Sequence, residues 1–356
     1  MIERPIADPE LGQRLESLPP DGITIFTLGG PGGPGGPEGG DLRGAILHGT
    51  RLVTRMRINH GLGILETLIL GHACLAAALV ASTLKGRDKV SLNLACDGPA
   101  KGWSVEGRAL EGAAAGAGAT GSGRSVAVRG YLHGDGIPVE APLDSWDTSP
   151  FIGSGTLSMT RFIAGTVRPH TGTITLKAGR LAEDLARYYL ESEQTRTAFD
   201  LGIAFDSEGR VSGAGAIFLQ ALPGAREDFV SKAEAGLLGL PSLGTWFAGG
   251  KPARDLLASA FGAGTKAGEA RNNTDAVQDF GLRVLEELPA VFHCDCSRER
   301  FAAFVRGSEG NLLHELATEG PWPVVMTCHN CSSAYEFGKE ELEAMEAERA
   351  KGKTGD

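Results

Sequence analysis

The chain has 356 residues, 42% of them apolar, with a formal charge of −10 and a pI near 5.4. That length suits two or three domains, and the apolar share is enough for ordinary globular cores. The acidic balance argues against binding nucleic acid or acidic lipid through a general cationic surface.

The first residues, MIERPIADPELG, carry acids and prolines where a secretory signal has a basic start and an apolar run, which predicts a cytoplasmic protein. Extended structure is expected at 23–28, 42–48, 90–95, 126–132 and 156–162. Residues 61–84 (GLGILETLILGHACLAAALVASTL) are long enough to cross a bilayer, which takes about 20 apolar residues. Glu66 and His72 would be costly there, and the alanine-rich composition predicts instead a helix packed on all sides inside the protein. Cys74 on that helix reads as a small core residue and Cys96 as a packed turn residue. Two low-complexity stretches, 29–40 (GGPGGPGGPEGG) and 112–123 (GAAAGAGATGSG), offer no large apolar side chains and are expected to be flexible loops.

A strand is expected at 173–177, a helix at 180–194 with Leu181, Leu185, Tyr188 and Tyr189 on one face, and further strands at 199–205 and 214–221. Residues 227–240 and 256–261 read as helices in a glycine- and proline-rich linker. Its Leu237, Leu238, Leu240, Leu243, Trp246, Phe247, Leu256, Leu257 and Phe261 are too apolar for a plain spacer, so it should pack on something. The fold class predicted is α/β (α+β): an N-terminal domain with a mixed sheet and a long buried helix, a helical linker, and a small C-terminal four-cysteine zinc domain. The expected boundaries are 1–225, with glycine-rich insertions at 29–40 and 112–123; linker 226–285; zinc domain 286–340; and a charged tail 341–356.

The strongest chemical signal is Cys294-Asp295-Cys296 and, after 31 intervening residues, Cys328-His329-Asn330-Cys331. Two short-spaced thiol pairs match a closed tetrahedral zinc site, in which each tight turn supplies two thiolates. His293 and His329 adjoin the pairs, but four thiols suffice. Reduced thiols are the rule in the cytoplasm, so this clustering favours metal over a disulfide scaffold. Accessible thiolates of such a site can be oxidised, and a disulfide between residues two apart closes a small strained ring that should be readily reduced again. Other matches are accidents of composition: Gly116, Gly118 and Gly121 fit GxGxxG without a strand and helix around them, and Ser82 to Lys85 fits S-x-x-K without partner motifs. No catalytic constellation stands out, and no enzyme activity is expected.

The string Phe292-His293-Cys294-Asp295-Cys296-Ser297-Arg298-Glu299-Arg300, followed by CHNC and Tyr335-Glu336-Phe337, resembles the redox-regulated holdase chaperones known as heat shock protein thirty-three. The likeness extends to Leu42-Arg43-Gly44, Arg57-Ile58-Asn59-His60, Cys96-Asp97-Gly98-Pro99, Val128-Arg129-Gly130-Tyr131, the segment 179–184 (GRLAED) and Ser192-Glu193-Gln194. The resemblance implies an ATP-independent chaperone, inactive while reduced and zinc-bound. Oxidation in that family pairs the cysteines, releases zinc, unfolds the linker and exposes apolar surface that holds unfolding client proteins. By position the implied disulfides are Cys294–Cys296 and Cys328–Cys331, and oxidised members form homodimers. The glycine-rich stretches look like insertions into the family's N-terminal domain, and His170 stands where a tyrosine is expected.

Two other readings of the cysteines compete. A zinc-ribbon nucleic-acid module is disfavoured because Asp295, Glu299, Glu309, Glu315 and Glu319 balance Arg298, Arg300 and Arg306. A thiol oxidoreductase would need Cys328-His329-Asn330-Cys331 at a helix N-terminus, whereas the preceding 322–327 reads as a strand.

Overall fold

A computed structural model describes residues 9–30, 40–111, 123–134, 136–138, 145–166, 168–262, 280–308 and 311–352. Most of the two glycine-rich stretches, residues 263–279 of the linker and the last four residues lie outside these, and so do the loops expected there.

The chain opens with α1 (Pro9–Ser17), β1 (Gly22–Leu28), β2 (Leu42–His48), α2 (Thr50–His60) and α3 (Ile64–Ser82). There follow β3 (Lys89–Cys96), β4 (Gly102–Glu111), β5 (Arg124–Leu132), the single turn α4 (Ser149–Ile152), β6 (Gly155–Phe162) and β7 (His170–Thr175). Then come α5 (Leu181–Ser192), β8 (Thr197–Phe205), β9 (Val211–Ala221) and three helices, α6 (Glu227–Leu238), α7 (Leu243–Ala248) and α8 (Ala253–Phe261). The C-terminal part holds β10 (Arg283–Phe292), α9 (Arg298–Gly307), α10 (Leu312–Thr318), β11 (Val324–Thr327), β12 (Ala334–Phe337) and α11 (Lys339–Gly352).

Among the described residues, ten strands form one sheet in the order β7-β6-β3-β4-β5-β10-β1-β2-β9-β8. Every pairing is antiparallel except β10 with β5. Helix α3 has apolar residues on all sides and lies against strands from both halves of the sheet. Its most apolar stretch has a mean hydropathy of 2.0, and 83% of it is buried inside the protein, so the long apolar segment is a core helix. The alanines let it sit directly on the strands: a Cβ on Gly107 of β4 would lie 2.5 Å from the Ala77 carbonyl oxygen. Helix α5 packs on both β7 and β8, the two edges of the sheet, and covers edges that would otherwise invite pairing with another chain.

The linker helices occupy the opposite face of β1, β2 and β9. Side chains alternate along a strand, so Phe26 and Leu28 point away from α3 while Ile23 joins its core. Ile217 and Leu219 do the same on β9, which is why that strand is buried along most of its length. Leu237, Leu243, Phe247, Leu256, Leu257 and Phe261 pack onto this face. Gly44 is required here, because a Cβ would meet the Phe26 ring at 2.4 Å. The apolar linker residues thus have the packing partner their composition called for, apart from the exposed Leu238. Asp41, fully buried just before β2, fixes the start of α6 by accepting hydrogen bonds from Arg226 N (3.0 Å), Nε (3.1 Å) and Nη2 (2.7 Å). That guanidinium holds the Asp41 carboxyl below the usual carboxylate range.

The structure also redraws the expected segments. Residues 283–292 form a strand of the large sheet, so the linker range 226–285 and the zinc-domain range 286–340 meet inside β10. Residues 339–352, largely assigned to a charged tail, form α11, whose Leu342 and Met345 are buried with Val305, Leu313, Ala317 and Phe337 in a separate small core.

Phe261 is completely buried against Phe26 and Phe280, with ring centroids 6.3 and 5.7 Å away. Truncating such a side chain costs roughly 3–5 kcal/mol. Phe261→Ala should therefore loosen α8 from the sheet and raise the rate of limited proteolysis within residues 240–262 by at least about 100-fold in the reduced protein, since 1.4 kcal/mol is tenfold in an opening equilibrium. Peptide mapping of the cleavage products checks this.

Candidate metal centre

The four cysteines come from two tight turns. Cys294 and Cys296 lie just past β10, in the step to α9, where the Ser297 hydroxyl accepts a hydrogen bond from Arg300 N and caps the helix. Cys328 and Cys331 lie on the turn joining β11 to β12. There the amides of Cys331 and Ser332 donate to the Cys328 carbonyl at 3.3 and 2.7 Å, and Cys328 N donates to Ser333 O at 2.9 Å. Ser332 has φ of 54°, the left-handed conformation that closes the turn.

All four Sγ atoms lie within 4.8 Å of one another. Cys294 approaches Cys328 at 3.9 Å and Cys296 approaches Cys331 at 3.3 Å, and all four are free thiols. Zinc–sulfur bonds of about 2.3 Å in a tetrahedron need sulfur–sulfur edges of about 3.8 Å. The donor set is soft sulfur throughout, so the four residues fit a zinc ion both in spacing and in chemistry. Cys328 and Cys331 are buried, 7% and 3% exposed, while Cys294 and Cys296 are half-buried. Without a metal the sulfurs must share protons: hydrogen bonds from Cys328 and Cys331 hold Cys294 far below the thiol range, while burial pushes Cys296 up to about 11. Cys328 is raised, chiefly by its hydrogen bond to Cys294.

The neighbouring histidines have other partners. His293 Nε2 lies 3.1 Å from Asp295 Oδ1, and the His329 ring packs on Tyr131 with centroids 5.7 Å apart. Cys74 is fully buried in the α3 core, and burial pushes its thiol up; Cys96 ends β3 and is raised in the same way.

A ring of side chains that residue spacing did not reveal docks this unit on the sheet. Arg108 of β4 donates two hydrogen bonds to the carboxylate of Asp295. Arg129 of β5 donates to Cys294 Sγ at 3.6 Å and to Glu106 Oε1 at 2.9 Å. Asn59 Nδ2 at the end of α2 donates to Cys331 O at 3.2 Å, Gly130 N donates to Asn330 O at 3.1 Å, and Ser332 Oγ lies 2.8 Å from His60 Nδ1. The Tyr335 hydroxyl lies 3.1 Å from Cys296 Sγ, with its ring packed at a tilt on Phe301, centroids 4.9 Å apart. Asn59, His60, Arg129, Gly130 and Tyr335 stand in the motifs that carry the family resemblance; Arg108 is in none of them and had no local signal. The Cys-X-X-Cys segment sits on a hairpin turn and not at a helix N-terminus, so it lacks the dipole that activates an oxidoreductase thiol.

Comparison with known proteins gives a consistent result. Residues 36–338 match the family profile described as Hsp33 protein. The chain is 32% identical over 317 residues to the 33 kDa chaperonin of Thermus thermophilus, covering 87% of this chain and 84% of that one. It is 28% identical over 307 residues to the 33 kDa chaperonin of Lactobacillus delbrueckii subsp. bulgaricus, covering 86% and 93%. Among solved structures, the 33 kDa chaperonin (Heat shock protein 33 homolog) of Thermotoga maritima aligns with a TM-score of 0.71 at 25% identity, covering 92% of this chain and 99% of its own.

Arg108 pulls the Asp295 carboxyl down to about 2 from 3.8, chiefly through its hydrogen bonds. A carboxyl depressed on folding adds stability that is complete above the unfolded value and lost as pH falls through the folded one. The contribution, about 2 kcal/mol at 1.36 kcal/mol per pH unit, should be full above about pH 4 and disappear toward pH 2. In Arg108→Ala this acid dependence should flatten, and amide exchange at 328–333 should quicken at neutral pH. Hydrogen exchange across that pH range reads both effects.

Proposed function

The chain belongs to the Hsp33 family, whose members are chaperones that bind unfolding polypeptides, and from that premise we propose that it is a redox-regulated, ATP-independent holdase of the cytoplasm. In the reduced state Cys294, Cys296, Cys328 and Cys331 hold zinc and the protein is inactive. Bound zinc supplies the positive charge that lets four thiolates share one site, together with roughly 10–16 kcal/mol of folding free energy, more than a domain of this size otherwise has.

Oxidation joins Cys294 to Cys296 and Cys328 to Cys331. Each disulfide forms as a pair of thiolates gives up two electrons, and one peroxide takes those electrons and two protons from solvent to become two waters, so the switch consumes two equivalents of peroxide and the metal leaves as the free ion. No thiolate is then left to bind metal, and the small C-terminal core loses its main support.

The observation that carries this reading is the path of β10. The strand runs from the linker core, where Phe280 packs on Phe229 and Phe261, straight to His293 and Cys294. Unfolding of the cysteine unit frees the end of β10, and the linker face that includes Leu243, Phe247, Leu256 and Phe261 loses a neighbour. Each such side chain is worth about 1.5–3 kcal/mol when buried and becomes adhesive when exposed. The released surface holds unfolding clients and pairs two oxidised chains into a homodimer. Nucleic acid and membrane are not partners in this reading, in keeping with the charge of −10 and the burial of α3.

The test measures bound zinc, free thiols and suppression of thermal aggregation of a client before and after treatment with peroxide at mildly unfolding temperature. The expected outcome is one zinc and no protection when reduced, then loss of four thiols and of zinc together with protection. Equal protection by the reduced protein would sink the switch.

A further inference from the structure

Away from the cysteines, β2, β6, β9, the C-terminal end of α3 and residues 189–195 surround a cavity of about 120 Å³. That is below the range of small-molecule sites, roughly 300–1,000 Å³, and well above the roughly 30 Å³ that one water takes up. It suits a small ion. Two of the motifs that carry the family resemblance meet here, through Arg43 of Leu42-Arg43-Gly44 and Glu193 of Ser192-Glu193-Gln194, and the switch uses neither.

The strand side chains that line the cavity all come from the face of the sheet that packs on α3. Arg43 shares its face of β2 with Ala45 and Leu47, Gln220 its face of β9 with Ala216 and Phe218, and Arg161 its face of β6 with Leu157 and Met159; these apolar neighbours belong to the core around α3. Arg43 and Gln220 stand opposite each other, and Arg43 Nε donates to Gln220 Oε1 at 2.6 Å. From α5, the Tyr189 ring packs on Phe199 with centroids 5.5 Å apart, and the Arg161 guanidinium lies 5.9 Å from its centre.

Arg43, Arg161 and Glu193 are the charged side chains of the lining, two guanidinium groups against one carboxylate. Glu193 is engaged: its Oε2 accepts from Arg161 Nη1 at 2.8 Å and its Oε1 from the Tyr188 hydroxyl at 3.4 Å. Among the described residues no carboxylate pairs with Arg43, whose partner is the neutral Gln220 amide, and both terminal nitrogens of its guanidinium remain to donate. Partial burial lowers the Arg43 pKa, an effect opposed by Tyr189 and reinforced by the charge of Arg161, which face the same space. The hydroxyls of Thr83 and Thr195 already donate to the carbonyl oxygens of Val80 and Glu193, at 2.7 and 3.0 Å. The Tyr189 hydroxyl, on a residue only 6% exposed, donates to no acceptor among the described residues.

We propose that this cavity binds a small oxyanion, a phosphate or carboxylate group, held by the two terminal nitrogens of Arg43 and by the Tyr189 hydroxyl, with Arg161 completing the positive wall. The planar fork of an arginine matches two oxygens of either group, and the anion supplies both the charge that Arg43 lacks and an acceptor for the tyrosine. Bound there, it adds a tie between β2 and β6, strands from opposite halves of the sheet. The inference rests on the cavity alone and not on the redox switch.

The experiment is calorimetric titration of the full-length reduced protein, in chloride buffer of constant ionic strength, with inorganic phosphate, methyl phosphate and acetate. Phosphate or acetate should bind at one site per chain, and Arg43→Gln should weaken that binding by at least about tenfold, the effect of losing charge-assisted hydrogen bonds. Arg43→Lys, which keeps the charge without the fork, should fall between the two. Tyr189→Phe leaves the ring on Phe199 and should weaken binding several-fold, which keeps the test valid if Arg43→Gln folds poorly. Methyl phosphate that matches inorganic phosphate assigns the site to the head group of a larger molecule, inorganic phosphate alone assigns it to the free ion, and acetate alone assigns it to carboxylates. No binding of any of the three over chloride, or unchanged affinity in both Arg43→Gln and Tyr189→Phe, would overturn the proposal, whatever the outcome of the zinc and aggregation measurements.

Discussion

The placement of β10 in the middle of the sheet governs how the parts of this protein communicate. Along Arg283 to Pro289 it pairs with β1, and from Ala290 to Phe292 it pairs with β5, so the two halves of the sheet are joined through it. Pro289 stands where the partner changes, a position at which the missing N–H costs little. Yet the strand is lightly held: Leu288 and Ala290 are its buried side chains, while Val284, Leu285 and Val291 are exposed. An element with so little apolar burial sits at the low end of local stability. If β10 leaves, each half of the sheet still rests on α3, which touches both. The domain core can therefore outlast the detachment of linker and cysteine unit.

The same logic separates the two apolar faces. The α3 face is sealed by a continuous helix whose alanines and strand glycines bring backbones together. The outer face of β1, β2 and β9 is covered by three short helices instead. Short helices hold their shape mainly through packing, since nucleation is costly and each has few internal hydrogen bonds. Asp41 ties the first of them to the sheet, whereas the exposed pair of Arg254 with Glu287 across the end of the linker adds little. Release is thus easier from the α8 end than from the α6 end.

Much of this architecture was legible in the chain. The strands that alternate cleanly, the largely apolar α3 and the amphipathic α5 appear where periodicity places them, and the two cysteine pairs meet as their spacing requires. What escaped has identifiable causes. β10 (RVLEELPAVF) carries three acidic or basic groups in its first half and a proline in its second, because most of its side chains face solvent and its place in the sheet rests on backbone pairing. β4 follows a turn and mixes Gly102, Gly107 and charged residues, since close approach of α3 selects glycine at a strand position that normally favours a large side chain. α11 has an even scatter of charge and alanine that hides the two residues it buries. The dock for the cysteine unit was invisible to local reasoning because its members are separated by as many as 272 residues.

That dock senses backbone shape more than sulfur chemistry. Asn59 and Gly130 donate to the carbonyl oxygens of Cys331 and Asn330, which point at the sheet while the turn of 328–331 is folded around its ligands. From the sheet, Arg129 touches a sulfur directly, while Tyr335 and Ser333, which touch Cys296 and Cys331, belong to the cysteine unit itself. The two close sulfur contacts, Cys294 with Cys328 and Cys296 with Cys331, each join one turn to the other. The proposed disulfides instead join residues within a turn. Oxidation of this kind exchanges a bond network that holds the turns together for two that leave them independent, and the carbonyls presented to Asn59 and Gly130 move with the turn. Under the proposed switch, a few electrons removed at sulfur would in this way be converted into loss of an interface built from amides and guanidinium groups, and the apolar cost of that loss would fall on the lightly held strand between the halves of the sheet.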